Sequence, residues 1–338
     1  MARRAGVGLG TVSRVLNGSP QVRDETRARV LTAIEELDYR PNPLARGLSL
    51  GRSHTLGVVV PFFTHPSAVA RLQGVVAALD GSRYDLVLFN VASPAHRDEH
   101  FAALTRRDRA DGLLVMSLPA PAHDLERLVT SRVPVVLVDA YGPGVPCVVT
   151  DDVSGGRLAT EHLVALGHRR IGFIGDDPEN PFGFVASAAR QDGCEAVLAE
   201  HGLELDPELV RHGPHDREIA EQLATELLSL PEPPTAIFAS SDVQALGALA
   251  AATAQGRSVP ADLSVVGFDD IELSSYARLT TVRQPLFDSG FLGASLLLEA
   301  LEGATPPPPV VHELPVELVE RATTGPNVTT EQGSGRRG

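Results

Sequence analysis

Asp139 closes the apolar run 133–139 and Asp269 directly follows the apolar run 263–268. A carboxylate just past a buried strand is what a ligand site at the carboxyl ends of parallel strands requires. His96, Glu99 and His100 lie at helical spacing and can share a metal, but no zincin pattern or ordered partner set accompanies them. They read instead as a solvated helix face. The glycines of Gly6-Val7-Gly8-Leu9-Gly10 invite comparison with a dinucleotide loop, yet no strand precedes them and the third comes too early. Neither a Gly-x-Ser-x-Gly elbow nor a P-loop occurs, and His168 with its neighbouring arginines suits a turn between helix and strand better than catalysis. A sugar-acting enzyme therefore lacks a nucleophile or acid pair, and neither metal nor cofactor is expected.

The 338 residues have the length of two or three domains, each able to bury a core. Apolar residues make up 43% and charged residues 21%, with mean hydropathy +0.02, which excludes bulk disorder. No uninterrupted apolar run approaches the length of a membrane span, and the arginines at the N-terminus are not followed by the apolar region of a secretory signal. Cys147 and Cys194 are too few for a disulfide framework and too isolated for zinc. A cytoplasmic protein is expected. All 29 basic residues are arginine, a composition attributed to a GC-rich genome. Net charge is -14, but residues 1–60 carry nine arginines against five acids, so a head of +4 is joined to a body of -18. That asymmetry suits a chain whose one end meets a polyanion, although a solvated helical face produces it too.

Residues 2–16 read as a short helix, a tight turn at Gly6-Val7-Gly8, and a helix from about Leu9 to Leu16 with Val12, Val15 and Leu16 on one face. Asp24 can cap a third helix in which Val30, Ile34 and Leu37 form a core stripe. Three helices in so few residues suit a helix-turn-helix. From Leu56 the pattern changes to strands at 56–61, 84–91, 112–118, 133–139 and 147–150, and then at 170–175, 236–240, 263–268 and 279–282. Helices are expected between them, among them 154–166, 185–201, 216–228 and 243–255. The fold class is an all-α head plus an α/β body of two doubly wound parallel-sheet lobes facing each other across a cleft. Residues 322–338 read as a disordered tail.

Ala5 to Gly18, followed by Glu36-Leu37-Asp38-Tyr39-Arg40-Pro41-Asn42-Pro43-Leu44-Ala45-Arg46, resembles the head and hinge of the lactose/galactose repressor (LacI) family of bacterial transcription factors. The resemblance implies a head over 1–40, a hinge and linker over 41–54, a two-lobed effector-binding and dimerisation body over 55–324, and a tail over 325–338. It implies base-edge contacts from Leu9, Gly10 and Arg14, and phosphate contacts from Thr11, Ser13 and Asn17. Arg14 can donate bidentately to a guanine edge, or touch phosphate only. Asn42 and Ala45 match the hinge pattern, and Leu48 stands where the family inserts a leucine between base pairs; packing on the body is the alternative. Gly8 replaces a capping Ser or Thr. Met1 falls where the family has a residue inside helix one, so an upstream start is expected.

In the body, the segments 160–171, 236–239 and 259–270 resemble the type I periplasmic-binding-protein fold of the same family, with lobe crossings near Asp152, Gln284 and His312. Carried over one by one, Asp139, Asp151, Arg190, Ser241, Asp242 and Asp269 match positions that bind or border an effector. A salt bridge is the plainer role for Arg190. Phe62 and Phe184 can stack on a ring or belong to the core. His65-Pro66-Ser67-Ala68 replaces a common Asn-Pro-Phe-Phe and Ser241 a common Asn, so effector identity does not transfer. The partners implied are a pseudo-palindromic duplex operator, a neutral sugar effector and a second copy of the chain, with no membrane. The function implied is a dimeric repressor of a carbohydrate-utilisation operon. The competing reading is a soluble solute-binding module with a vestigial head.

Overall fold

A computed structural model describes residues 1–16, 19–39, 53–105, 109–303 and 308–327. The described residues of the head form three helices, α1 (Ala2–Ala5), α2 (Leu9–Leu16) and α3 (Asp24–Glu36). Gly6 ends α1 in the left-handed conformation, φ 63°, which glycine adopts without the Cβ penalty. Ala5, Val12, Val15, Val22, Val30 and Ala33 form its small core, with Leu16 and Ile34 packed at the edge. Two details differ from the sequence reading. Arg23 holds the cap position of α3, and Asp24 sits within the first turn, where its charge meets the helix dipole rather than capping it. Leu37 is exposed because α3 ends at Glu36, one residue before it.

The first lobe is a six-stranded parallel sheet of β1 (Thr55–Pro61), β2 (Asp85–Val91), β3 (Gly112–Met116), β4 (Val135–Val138), β5 (Cys147–Thr150) and β11 (Val311–Leu314). Their order is β11-β5-β4-β3-β1-β2. The helices α4 (Pro66–Ala78), α5 (Pro94–Leu104), α6 (Ala122–Thr130) and α12 (Leu286–Glu302) cover it. The second lobe contains β6 (Ile171–Asp176), β7 (Val210–Gly213), β8 (Ala236–Ala239), β9 (Ser264–Asp269), β10 (Thr280–Arg283) and β12 (Glu317–Val319), in the order β12-β10-β9-β8-β6-β7. Only β12 runs antiparallel, against β10. Helices α7 (Asp152–Ala165), α8 (Ala186–Glu200), α9 (Arg217–Leu228), α10 (Asp242–Ala254) and α11 (Glu272–Tyr276) belong to it. The interior strands β3, β4, β5, β8 and β9 are buried throughout, as a sheet covered on both faces demands.

The chain passes between lobes at Asp151–Asp152, at Gln284–Pro285, and at Pro315 between β11 and β12. The third crossing is thus later than His312, which pairs with Val148 inside β11. The tail also begins later than expected: Thr323 lends its carbonyl to Val265 N and its hydroxyl to Thr280 N, and Asn327 N bonds Leu166 O. These bonds tie 322–327 to the second lobe, and the remainder of the tail lies outside the described residues.

Candidate DNA interface and effector cleft

On α2 the apolar spacing turns Val12 and Val15 inward and leaves Leu9, Gly10 and Arg14 exposed on the opposite face, with Thr11 and Ser13 half-buried at its flanks. Leu9 is 81% exposed, so its side chain takes no part in the core of the head. A Cβ placed on Gly8 or Gly10 would meet nothing within 4 Å among the described residues, so the space beside these two positions is open. Other arginines are engaged within the head: Arg29 Nη2 donates to Ala5 O at 2.6 Å, Arg27 Nη2 to Ser19 O at 2.6 Å, and Arg4 pairs with Glu36 at 2.7 Å. Asn17, Asn42, Ala45 and Leu48 lie outside the described residues.

The cleft between the lobes holds about 320 Å³ and is lined from both sheets. Four residues at the carboxyl ends of strands, Phe62, Ser117, Asp139 and Asp269, line it with positive φ (46°, 47°, 58° and 114°). Such conformations are strained for residues with a Cβ, and here they cluster where side chains must turn into the cleft. Arg190 reaches it from α8. Gly156 and Gly193 let α7 and α8 approach backbone to backbone, since a Cβ at either would sit 2.1 or 2.2 Å from a carbonyl oxygen of the facing helix. That approach brings Arg190 Nε and Nη2 to 2.8 Å from Asp152 Oδ1, while Nη1 donates to Ser240 O and the guanidinium lies 3.7 Å from the centre of the Phe268 ring.

The structure gathers Phe62, Asp139, Phe184, Arg190 and Asp269 of the expected effector residues, and sets three apart. Asp151 caps α7, accepting from Ser154 N at 3.0 Å and Ser154 Oγ at 2.6 Å; these bonds hold its carboxyl below the usual range. Ser241 caps α10 by accepting from Gln244 N. Asp242 is fully buried and accepts from Ile271 N, Ser274 Oγ and Thr281 Oγ1, tying α10 to β10 and α11. Burial, and then the charge of Asp269, push its carboxyl up to about 7. None of the three is among the residues that line the cleft. His96 and Glu99 stay exposed on α5, and His100 meets Asn90 O at 3.2 Å and the Phe89 ring.

Sequence reasoning missed several lining residues. Arg71, buried on α4, donates from Nη2 to Gln284 Oε1 and to Asp139 Oδ1, both at 3.0 Å. Gln284, at the second crossing, donates in turn to Asp269 and accepts from Thr150, so both lobes and a crossing segment share one polar network. His215 Nδ1 pairs with Asp176 Oδ1 at 3.0 Å, and Gln244 Nε2 donates to the same oxygen at 3.0 Å. Burial opposes the charged forms of both partners, yet their mutual attraction raises His215 and lowers Asp176. Asp269 and Asp152 are raised by burial, which Arg190 resists. The signal available was faint: Asp152 and Asp176 also stand at strand-to-helix junctions, but only the folded cleft pairs them with cations.

The comparisons agree with this geometry. Residues 1–42 match the lacI family of bacterial regulatory proteins, and residues 160–324 match the periplasmic binding protein-like domain. Catabolite control protein A of Priestia megaterium is 32% identical over 96% of this chain and 98% of its own length. The transcriptional repressor CytR of Escherichia coli K12 is 32% identical, covering 90% of this chain and 89% of its own. Among solved structures, the Lac repressor dimer bound to operator and an anti-inducer shares 30% identity with a TM-score of 0.79, over 96% of this chain and 97% of that one. The regulator CelR in complex with cellobiose shares 34% identity with a TM-score of 0.70, over 95% of this chain and 98% of that one. The chain belongs to the LacI family of bacterial transcriptional regulators, with a helix-turn-helix head and a periplasmic-binding-protein-like body. These relatives are regulators rather than enzymes.

Proposed function

We propose that the protein is a homodimeric repressor of a carbohydrate-utilisation operon in the cytoplasm, binding a pseudo-palindromic duplex through α2 and changing its operator affinity when a neutral, polyhydroxylated effector enters the cleft. It has no catalytic role in this reading. Arg14 supplies the direct base contact, Leu9 and Gly10 permit close approach, Thr11, Ser13 and Asn17 serve phosphates, and Asn42, Ala45 and Leu48 of the hinge enter the minor groove. In the cleft, Asp139, Asp269 and Arg190 bind hydroxyls while Phe62 and Phe184 face the sugar ring.

The observation that supports a neutral ligand is the pairing, among the described residues, of Arg71 with Asp139, Arg190 with Asp152, and His215 with Asp176 in the cleft. An anion would have to displace a carboxylate, whereas hydroxyls can both donate to carboxylates and accept from guanidinium groups. A solute-binding module with a vestigial head is disfavoured by a head that keeps a packed core beneath an exposed recognition face. A thermal-shift screen of mono- and disaccharides against sugar phosphates tests the reading, because a bound ligand raises apparent stability by mass action. Neutral sugars are expected to stabilise the protein; stabilisation only by phosphorylated or nucleobase ligands would overturn the neutral-sugar assignment.

A further inference from the structure

His65 is the residue preceding α4 in the first lobe, and His215 precedes α9 in the second. Their rings stack face to face across the cleft, centroids 5.3 Å apart and 21° from parallel. Phe62 also stacks on His65, at 5.2 Å and 14°, so a series of three rings links the lobes from Phe62 through His65 to His215. Beside it the second lobe sends Phe182 into the core of the first, edge-on to Phe62 at 5.7 Å. This side of the cleft is therefore a lobe-to-lobe contact built of rings, two of which are imidazoles that can take up a proton.

The two histidines occupy different electrostatic positions. Burial opposes a charge on His215, but its bond to Asp176 and the charges of Asp176 and Asp269 outweigh burial and Arg190, so its proton affinity is raised. Among the described residues no carboxylate is bonded to the His65 ring: burial and the His215 charge both disfavour its imidazolium, against weaker help from Asp176 and Asp216. It also sits at the positive end of α4, which disfavours a cation further. A neutral imidazole face against an imidazolium is attractive, whereas two imidazolium rings stacked at this spacing repel.

We propose that His65 and His215 form a proton-sensitive latch across the cleft, in which neutral His65 holds the lobes together and its protonation drives them apart. The sign follows from linkage. Contact with His215 lowers the proton affinity of His65, so the latched form binds fewer protons than the separated one and acid favours separation. His215, Asp176, Asp269 and Arg190 all belong to the second lobe, so their mutual pairing survives separation. The latch needs no ligand; its use, a lobe closure that weakens in acid and carries the effector response with it, rests on the effector reading.

The test is accordingly ligand-free. Nitroxides on Asp80→Cys in the first lobe and Glu232→Cys in the second, both exposed positions, report interlobe distance by pulsed electron resonance; Cys147 and Cys194 are buried. Measurements at about pH 7.5 and about pH 5 bracket the ordinary imidazole range. The mean distance should lengthen in acid for the otherwise unchanged chain and stay constant in His65→Phe, which keeps the stack without the proton. His65→Asn, also expected to be pH-independent, serves if the phenylalanine variant does not fold by circular dichroism. An unchanged distance in the parent protein, or the same lengthening in a folded His65 variant, overturns the latch. Either result leaves the effector reading to its own screen.

Discussion

The head and the cleft satisfy their polar groups in opposite ways. On α2 the outward face is open, with Leu9, Gly10 and Arg14 facing solvent. In the cleft nearly every charged group already has a partner, and the network joins separate segments of the chain, Arg190 to Asp152 across 38 residues and Arg71 to Gln284 across 213. The difference teaches that the DNA face can change without disturbing the fold, whereas the cleft is a network into which a ligand must substitute. Binding there trades existing hydrogen bonds for new ones, which is how a small molecule can favour one lobe arrangement over another.

The comparison breaks most visibly at the two arginines. Removing one partner of a buried ion pair typically costs about 3–5 kcal/mol, so Arg190→Ala, which strands Asp152, should lower the urea midpoint sharply as well as abolish stabilisation by sugars. Arg14→Ala should leave that midpoint within about 0.5 kcal/mol but cost about 1–3 kcal/mol in operator binding and relax one base pair per half-site. Equal stability losses in the two variants would erase the distinction. Leu48→Ala sharpens it from the hinge side: operator affinity should fall while binding to random duplex, carried by phosphates, stays the same.

A middle-sized effect concerns pH. Because the Asp242 carboxyl is held up at about 7, its contribution to stability is full below about pH 4 and is lost as pH rises through about 7. Asp152 and Asp269, also raised, act in the same sense, whereas His162 and His168, whose proton affinity burial lowers, contribute stability that is lost as pH falls. The useful quantity is therefore the difference between parent and Asp242→Asn in urea unfolding: it should narrow from pH 5 to pH 8, the parent losing its advantage as the carboxyl ionises. A difference independent of pH would contradict the assignment. The smallest effect belongs to Gly8, where open space awaits a side chain; Gly8→Ser should stabilise the head by a few tenths of a kcal/mol through a cap bond, read as a small rise in its melting temperature.

Legibility in the sequence followed the same divide. The recognition face was readable because local spacing alone decides which side of α2 is apolar, and the interior strands because both faces are buried. The edge strands β7, β11 and β12 escaped notice: Val-Arg-His-Gly, Val-His-Glu-Leu and Glu-Leu-Val are half-exposed and lack an apolar run. Among cleft residues, Asp139 and Asp269 were visible as carboxylates after strands. Asp151 and Asp242 shared that appearance yet cap or brace helices, because one residue's turn at a strand end decides whether a carboxylate faces the cleft or the helix. Arg71 and His215 had no local signature; their partners are made by tertiary packing alone.

The central claim is that ligand in the cleft alters DNA binding by α2. Duplexes selected from a random library by the full chain should converge on a pseudo-palindrome, and its affinity, followed by fluorescence anisotropy, should fall steeply with salt. Saturating the protein with a sugar that stabilises it should then shift that affinity by about 1–3 kcal/mol, roughly 5- to 150-fold. Failure to enrich any palindrome, or an affinity unmoved by a sugar that demonstrably binds, would contradict the account.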